Sequence, residues 1–185
     1  MRVAVLGAGA VGARIARQLL SGKSVTQIVL RDTDADRLAQ VSKSLGDRVI
    51  IEHAPFSSQL DAEIIVVATP SGTQMPAVVE AMEQRRPVIS TSDSLAEMVE
   101  LLKFSEQAQK NSTPVILGAG FAPGLTCVLA SHGAAWFDKV QEIHIAKVGT
   151  GGPYCALVHH RALSRISYDW RHDNWVRRPG GSGRS

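Results

Sequence analysis

Three glycines near the N-terminus have a spacing that suits phosphate binding. They lie in the run Gly7-Ala8-Gly9-Ala10-Val11-Gly12, which follows four apolar residues and precedes a segment with helical periodicity. In this context the first glycine allows a tight turn, the second lets the backbone approach a pyrophosphate, and the third lets helix and strand pack closely. The helix N-terminus then presents free amides and a positive dipole end to the phosphates. We expect residues 7–12 to bind the pyrophosphate of a dinucleotide.

The end of the second predicted strand carries charged residues that bear on the choice of dinucleotide. Asp32 stands at this strand end, and Arg31 precedes it. A carboxylate here accepts hydrogen bonds from the adenine ribose hydroxyls and repels a 2′-phosphate, which favours NAD. Arg31 could instead pair with a 2′-phosphate, which would favour NADP. The sequence therefore predicts NAD or NADP as cofactor, with Arg31 and Asp32 in its site.

The segment Ala68-Thr69-Pro70-Ser71 closes the fourth predicted strand. Ligands of doubly wound folds bind at the carboxyl edge of the sheet, so we expect backbone and hydroxyl contacts to the cofactor from these residues. The same residues would also serve as an ordinary cap for the following helix, and the two roles are compatible.

The elements that must position these residues alternate along the chain. Strands are predicted at residues 3–6, 28–30, 49–51, 64–68, 88–90 and 115–117, and helices at 11–20, 34–45, 75–84 and 95–111. The strands are almost continuously apolar, as expected when helices cover both faces of a parallel sheet. Residues 1–119 are therefore predicted to form a Rossmann-type α/β domain with a doubly wound parallel sheet.

The chain changes character after Leu117. An apolar helix is predicted from about residue 125 to 136 and an alternating strand at 140–148, followed by a segment that bears arginine and histidine. So few elements cannot close a core alone. We expect residues 120–185 to be the start of an α+β domain for substrate binding or dimerisation that is truncated.

With these residues in view, the chain resembles the saccharopine dehydrogenase-like family of NAD(P)-binding oxidoreductases. The resemblance covers most of the chain and rests on the glycine run at 7–12 and on residues 66–72, 88–93, 120–126 and 149–153. It implies hydride transfer at a C–N bond of an amino acid or imine adduct, with a second domain that closes over the nicotinamide and mediates dimerisation. Turnover would depend on whether that second domain is complete.

Such a reaction needs a proton carrier near the substrate nitrogen. Lys147 and His144 are the candidates, and alternation along a regular strand puts them on opposite faces. Lys147 is the better placed because it adjoins the glycine-rich residues 149–152. An exposed strand lysine is the competing interpretation.

The reaction also needs cations for the substrate carboxylates. His159, Arg161 and Arg165 are the candidates, and the two arginines are four residues apart, which would align them on one helical face. A solvated basic face explains the same pattern. No metal site is expected, because the histidines lack companions at ligand spacing.

The composition bears on whether the protein is membrane-bound, secreted or cytoplasmic, and on its partners. Hydrophobic residues make up 44% and charged residues 20% of the 185 residues, no apolar run is long enough for a bilayer span, and no signal peptide is evident. These features predict a cytoplasmic protein. The arginine-rich residues 161–184 make nucleic-acid binding an alternative. The favoured partners are a small-molecule substrate, expected to be an amino acid, and a second copy of the chain if the second domain is complete, with no nucleic acid and no membrane.

Two other functions fit the same residues. One is a non-catalytic dinucleotide-binding regulatory module, suggested by the short second domain. The other is a reductase of the dihydrodipicolinate or amino-acid dehydrogenase type, since those proteins also place a lysine-bearing strand after a Rossmann domain.

Overall fold

A computed structural model describes residues 1–56, 60–146, 148–149, 151–171 and 174–180. The chain divides into two compact units, Met1–Ala146 and Lys147–Ser185. The domain boundary near residue 119 stays a prediction.

The first unit alternates strands and helices along the chain. Its elements are β1 (Arg2–Leu6), α1 (Ala10–Ser21), β2 (Gln27–Asp32), α2 (Ala35–Ser42), β3 (Val49–His53), β4 (Ile64–Val67), α3 (Met75–Glu83), β5 (Val88–Ser90), α4 (Leu95–Leu102), α5 (Ser105–Lys110), β6 (Val115–Ile116) and α6 (Leu125–Ala134). The strands form one six-stranded sheet in the order β3-β2-β1-β4-β5-β6. All five pairings are parallel. This topology confirms the predicted Rossmann-type α/β fold.

The central strand β1 shows why the sheet is covered on both faces. Val3 and Val5 join a buried cluster with residues of α1 and α2. Ala4 and Leu6 point the other way, into a second cluster with residues of α3. Because successive side chains of a strand alternate between faces, an unbroken apolar run needs packing partners on both sides. Complete burial of a Val or Leu side chain contributes about 1.5–3 kcal/mol.

One predicted helix, residues 95–111, is two helices in the structure. The Lys103 amide donates to the Glu100 carbonyl at 3.2 Å and the Phe104 amide to the Leu101 carbonyl at 3.1 Å. These bonds close the last turn of α4 more tightly than α-helical bonds would. Phe104 packs against the core cluster beneath α3. The break between α4 and α5 thus accompanies the packing of this aromatic side chain.

The predicted strand at residues 140–148 is also not observed where the structure describes the chain. Residues 139–146 and 148 adopt no strand conformation, and the sheet of the first unit ends at β6. A strand forms only where a partner accepts its backbone hydrogen bonds. Alternation of side chains along 140–148 therefore did not suffice to predict its conformation.

The second unit contains a helix and a hairpin. They are α7 (Pro153–Leu163), β7 (Ser167–Arg171) and β8 (Asn174–Arg178), and the two strands pair antiparallel. No residue of α7 is buried. In the described parts of both units, every helix is too short or too polar to cross a membrane.

Candidate functional site

The loop between β1 and α1 brings the helix very close to the strand. Gly7 has a φ of +100°, and its amide donates to the Arg31 carbonyl at 2.7 Å. A Cβ on Gly12 would lie 1.8 Å from the Gly7 carbonyl oxygen, and a Cβ on Gly7 would lie 2.7 Å from the Ala68 carbonyl oxygen. Since Cβ atoms do not approach other atoms so closely, the local packing requires glycine at positions 7 and 12.

Gly9 differs from its neighbours because nothing in the chain crowds it. A Cβ on Gly9 would meet no heavy atom within 4 Å. Its φ of −68° and ψ of −173° are extended values that other residues adopt. Internal packing therefore does not explain glycine here. The close approach of a ligand to the backbone does, since a side chain would occupy the space that the ligand needs.

A groove of about 460 Å³ lies beside this loop. It is lined by Ala8, Gly9, Ala10, Ala13, Arg37, Gln40, Val41 and Ser44. The first turn of α1 carries no acidic side chain, and Gly9 provides no side-chain cap. The first amides of a helix have no partner within it, and the helix dipole favours an anion there. The site therefore fits a pyrophosphate in both shape and charge.

Asp32 connects the end of β2 to the glycine loop. The residue is only 4% exposed. Its Oδ2 accepts the Ala8 amide at 2.6 Å, its Oδ1 accepts the Asp34 amide at 3.0 Å, and its carboxylate lies 3.8 Å from Arg37. An ionised carboxylate has about four acceptor positions. The two hydrogen bonds from backbone amides therefore leave Asp32 able to accept further hydrogen bonds from ribose hydroxyls.

Arg31 and Arg37 have different surroundings. The buried Arg31 guanidinium forms an ion pair with Glu52 on the neighbouring strand β3, with Nη2 2.5 Å from Oε2. It also donates to the Pro55 carbonyl at 3.3 Å. Arg37 lines the groove beside the glycine loop and lies 3.2 Å from the Asp34 carboxylate. A cofactor contact from Arg31 stays a prediction, and Arg37 is the groove-lining arginine that sequence reasoning missed.

The predicted segment after β4 adjoins the glycine loop. A Cβ on Gly7 would lie 3.0 Å from the Thr69 amide nitrogen, so the two loops are in contact. Thr69 Oγ1 is buried and has no hydrogen-bond partner in the described part of the chain. An unpaired buried hydroxyl costs about 1–3 kcal/mol and is rare in native proteins. A polar group of a ligand, or a water molecule, would satisfy it.

The predicted catalytic residues are only partly described. Lys147 lies outside the described residues. His144 lies in the first unit, where its Nε2 is 2.7 Å from Glu142 Oε2 and both side chains are exposed. Among the described residues, no group of three or more His, Cys, Asp or Glu side chains is arranged to hold a metal ion.

The predicted substrate-binding residues lie in the second unit. His159 and Arg161 belong to α7, which ends at Leu163. Arg165 follows the helix, and its amide donates to the Ala162 carbonyl at 3.1 Å. The expected alignment of Arg161 and Arg165 on one helical face was therefore wrong, because the helix ends before Arg165. Their role in substrate binding stays a prediction.

A buried polar cluster at the ends of β4 and β5 also lay outside the predicted set. Its central member is Glu97 on α4, which is 7% exposed. The spacing of Ser94 and Glu97 matches a capping box, in which the acidic side chain returns to its own helix start. Here Ser94 does cap α4, by accepting the Glu97 amide at 3.3 Å, but the Glu97 carboxylate binds the start of α3 instead.

Sequence comparison places the first half of the chain among oxidoreductases. A family model described as "NADP oxidoreductase coenzyme F420-dependent" matches residues 2–94. Inositol 2-dehydrogenase of Mycolicibacterium gilvum (strain PYR-GCK) is 25% identical over 118 residues, which are 63% of this chain and 34% of that protein. The chain thus spans about a third of the length of this relative.

Solved structures share the fold at low sequence identity. Saccharopine dehydrogenase (L-Glu forming) from Saccharomyces cerevisiae is 15% identical with a TM-score of 0.61, over 73% of this chain and 31% of that chain. Scyllo-inositol dehydrogenase from Lactobacillus casei, with NAD(H) and scyllo-inositol bound, is 16% identical with a TM-score of 0.52, over 64% of this chain and 36% of that chain.

The glycine loop generates a test of the packing argument. We expect Gly12→Ala to lower the free energy of unfolding by about 3 kcal/mol, because the new Cβ would overlap the Gly7 carbonyl and force α1 away from β1. Gly9→Ala is the matched control, since its Cβ meets no atom within 4 Å, and it should change stability by less than about 1 kcal/mol. Urea denaturation measures both. Equal stability of the two variants would contradict the packing argument.

Proposed function

The chain belongs to the family described as NADP oxidoreductase coenzyme F420-dependent, an NAD(P)-binding oxidoreductase family, and from this membership we propose that the site between β1, α1 and β4 binds a nicotinamide dinucleotide for hydride transfer. The observation that carries the proposal is Gly9, which has no packing reason to be glycine and lies at the N-terminus of α1. The sheet order also places this loop beside the β1–β4 junction, where the strand order reverses and doubly wound folds bind their ligands.

The pyrophosphate and the two riboses of the dinucleotide would each have a partner on the chain. The amides of residues 10–12 and the helix dipole would stabilise the pyrophosphate charge. Asp32 would accept hydrogen bonds from the adenine ribose. We propose that Thr69 and Ser71, which follow β4, would contact the nicotinamide ribose. When bound, the dinucleotide supplies the hydride acceptor or donor, and the protein supplies orientation.

We propose a reaction of the saccharopine dehydrogenase type, with hydride transfer at a C–N bond of an amino acid or imine adduct. The resemblance of residues 120–126 and 149–153 to that family supports this choice, and the fold likeness to saccharopine dehydrogenase agrees with it. Lys147 and His144 stay the proposed proton carriers. His159, Arg161 and Arg165 stay the proposed carboxylate-binding residues. We propose in addition that the substrate is an amino acid. Residues from 120 onward would begin a domain for substrate binding or dimerisation, and two copies of the chain would form a homodimer if that domain is complete.

A second candidate is oxidation of a carbon that carries a hydroxyl group. It is favoured by the sequence relative whose name is inositol 2-dehydrogenase, which matches the chain at 25% identity. The two candidates share the cofactor site and differ in the substrate. Assays of NAD reduction with amino acids and with polyols separate them, and cofactor binding without turnover on either panel would support the regulatory module.

The cofactor proposal is tested by binding. We expect NADH fluorescence to change on titration with the protein, and Gly9→Ala to weaken NADH binding by at least about tenfold, because its Cβ occupies the space of the pyrophosphate. The free energy of unfolding of the variant should lie within about 1 kcal/mol of that of the parent protein. NADH binding by the variant that equals the parent's would contradict the assignment of Gly9, and no binding by the parent would contradict the proposed function.

We propose that the protein prefers NAD to NADP, and the charges around the end of β2 support this preference. Asp32 is held in place by two amides, and Asp34 and Asp36 lie at the start of α2. Arg37, the cation of this groove, already pairs with two of these carboxylates. A 2′-phosphate would therefore meet net negative charge.

We expect NADH to bind at least about tenfold more tightly than NADPH. Asp32→Ser should bring the ratio of the NADPH and NADH dissociation constants closer to one. The ratio is the informative quantity, because any disturbance of the glycine loop by the substitution weakens both dinucleotides alike. Parallel fluorescence titrations measure it. A parent protein that prefers NADPH, or an unchanged ratio in the variant, would show that Asp32 does not select the cofactor.

A further inference from the structure

The carboxylate of Glu97 binds four hydrogen-bond donors outside the glycine loop. Its Oε1 accepts the amides of Gln74 at 2.5 Å and Met75 at 2.8 Å. Its Oε2 accepts the amide of Gly72 at 3.0 Å and the hydroxyl of Ser92 at 2.5 Å. One side chain on α4 thus ties the end of the β4–α3 turn to the segment that follows β5.

The charge of this carboxylate is balanced by dipoles. Glu97 is 7% exposed, and its partners in the described part of the chain are the neutral donors named above. Two of them belong to the N-terminal end of α3, where the helix dipole favours negative charge. Hydrogen bonds to an ionised acceptor are shorter and about twice as strong as neutral ones. The arrangement therefore holds the turn more rigidly than an uncharged cap would.

The same carboxylate orients the hydroxyl of Ser71 through Ser92. The two serine oxygens lie 2.9 Å apart. Because the Ser92 hydroxyl donates its single proton to Glu97, the Ser71 hydroxyl must donate to Ser92. Ser71 Oγ also accepts the Asp93 amide at 3.1 Å. A chain of hydrogen bonds thus runs from a hydroxyl at the carboxyl edge of the sheet to the buried Glu97 carboxylate.

Gln74 fastens the other end of the turn. The residue is 1% exposed. Its Nε2 donates to the Thr69 carbonyl at 2.7 Å, and its Oε1 accepts the Ser90 hydroxyl at 2.8 Å. Residues 69–72 are therefore held at their start by Gln74 and at their end by Glu97. The start of this turn also packs against Gly7.

We propose that Glu97 is a positioning residue for the dinucleotide: it holds the turn at residues 69–72, with Ser71, in the shape that receives the nicotinamide ribose opposite the glycine loop. The inference rests on the proposed function. Glu97 itself is not proposed to contact the cofactor. Its effect on binding passes through Gly72, Ser92 and Ser71.

The test compares Glu97→Gln with Glu100→Gln. Glu100 is on the same helix but is exposed and pairs with Lys103 at 2.7 Å, so its substitution controls for the loss of a charge from α4. We expect Glu97→Gln to weaken NADH binding about tenfold at a temperature where it is fully folded. Amide exchange at Gly72, Gln74 and Met75 should accelerate by about tenfold or more, because an amide group cannot accept from all four donors. Glu100→Gln should match the parent protein in both measurements.

The outcomes separate this inference from the proposed function. If the parent protein binds NADH and folded Glu97→Gln binds it equally well, Glu97 is only a cap for α3 and the inference fails alone. If the parent protein does not bind NADH, the proposed function fails and the inference falls with it. Should Glu97→Gln not fold, Ser92→Ala serves instead, since it keeps the carboxylate with its three amide donors and removes the hydroxyl that links it to Ser71. The same substitution removes the acceptor of the Ser94 amide, so the folded state of this variant is verified by its unfolding midpoint. Weaker NADH binding by Ser92→Ala then supports the inference, and unchanged binding overturns it.

Discussion

The close approach of α1 to β1 is the constraint on which the rest of the site depends. A Cβ on Gly12 would lie 1.8 Å from the Gly7 carbonyl oxygen, so the helix reaches its position only because two glycines meet there. That position directs the helix N-terminus, with its free amides and positive dipole end, over the carboxyl edge of the sheet. Gly9 then leaves the backbone open to a ligand. Packing and binding thus use adjacent glycines of one short loop for different reasons.

Two buried carboxylates position the loops on either side of the proposed cleft. Asp32 accepts the Ala8 amide and holds the glycine loop at the end of β2. Glu97 accepts the Gly72 amide and holds the turn after β4. Loops at a strand end lack the backbone hydrogen bonds between strands that order a sheet. Hydrogen bonds from their backbone amides to an ionised carboxylate hold them in place instead. The polar groups at this edge of the sheet therefore act as structural supports of the proposed binding surface.

Local patterns predicted the sheet and the glycine loop, because strand periodicity and glycine spacing act over a few residues. Contacts between distant segments were not predictable in the same way. The pairing of Arg31 with Glu52 follows from the β2–β3 register, and the reach of Glu97 to α3 depends on how α3 and α4 pack. The prediction of a strand at residues 140–148 was wrong for a related reason, since alternation along one segment does not specify a partner strand.

The glycine loop and the ends of β2 and β4 together form the proposed dinucleotide site. A titration of the isotope-labelled protein with NADH, followed by NMR of its backbone amides, tests this proposed site most directly. We expect the largest chemical-shift changes to fall together on residues 7–12, 32–34 and 68–72 and to share one dissociation constant. Shifts absent from residues 7–12 at saturating NADH, or largest on α7, would contradict it.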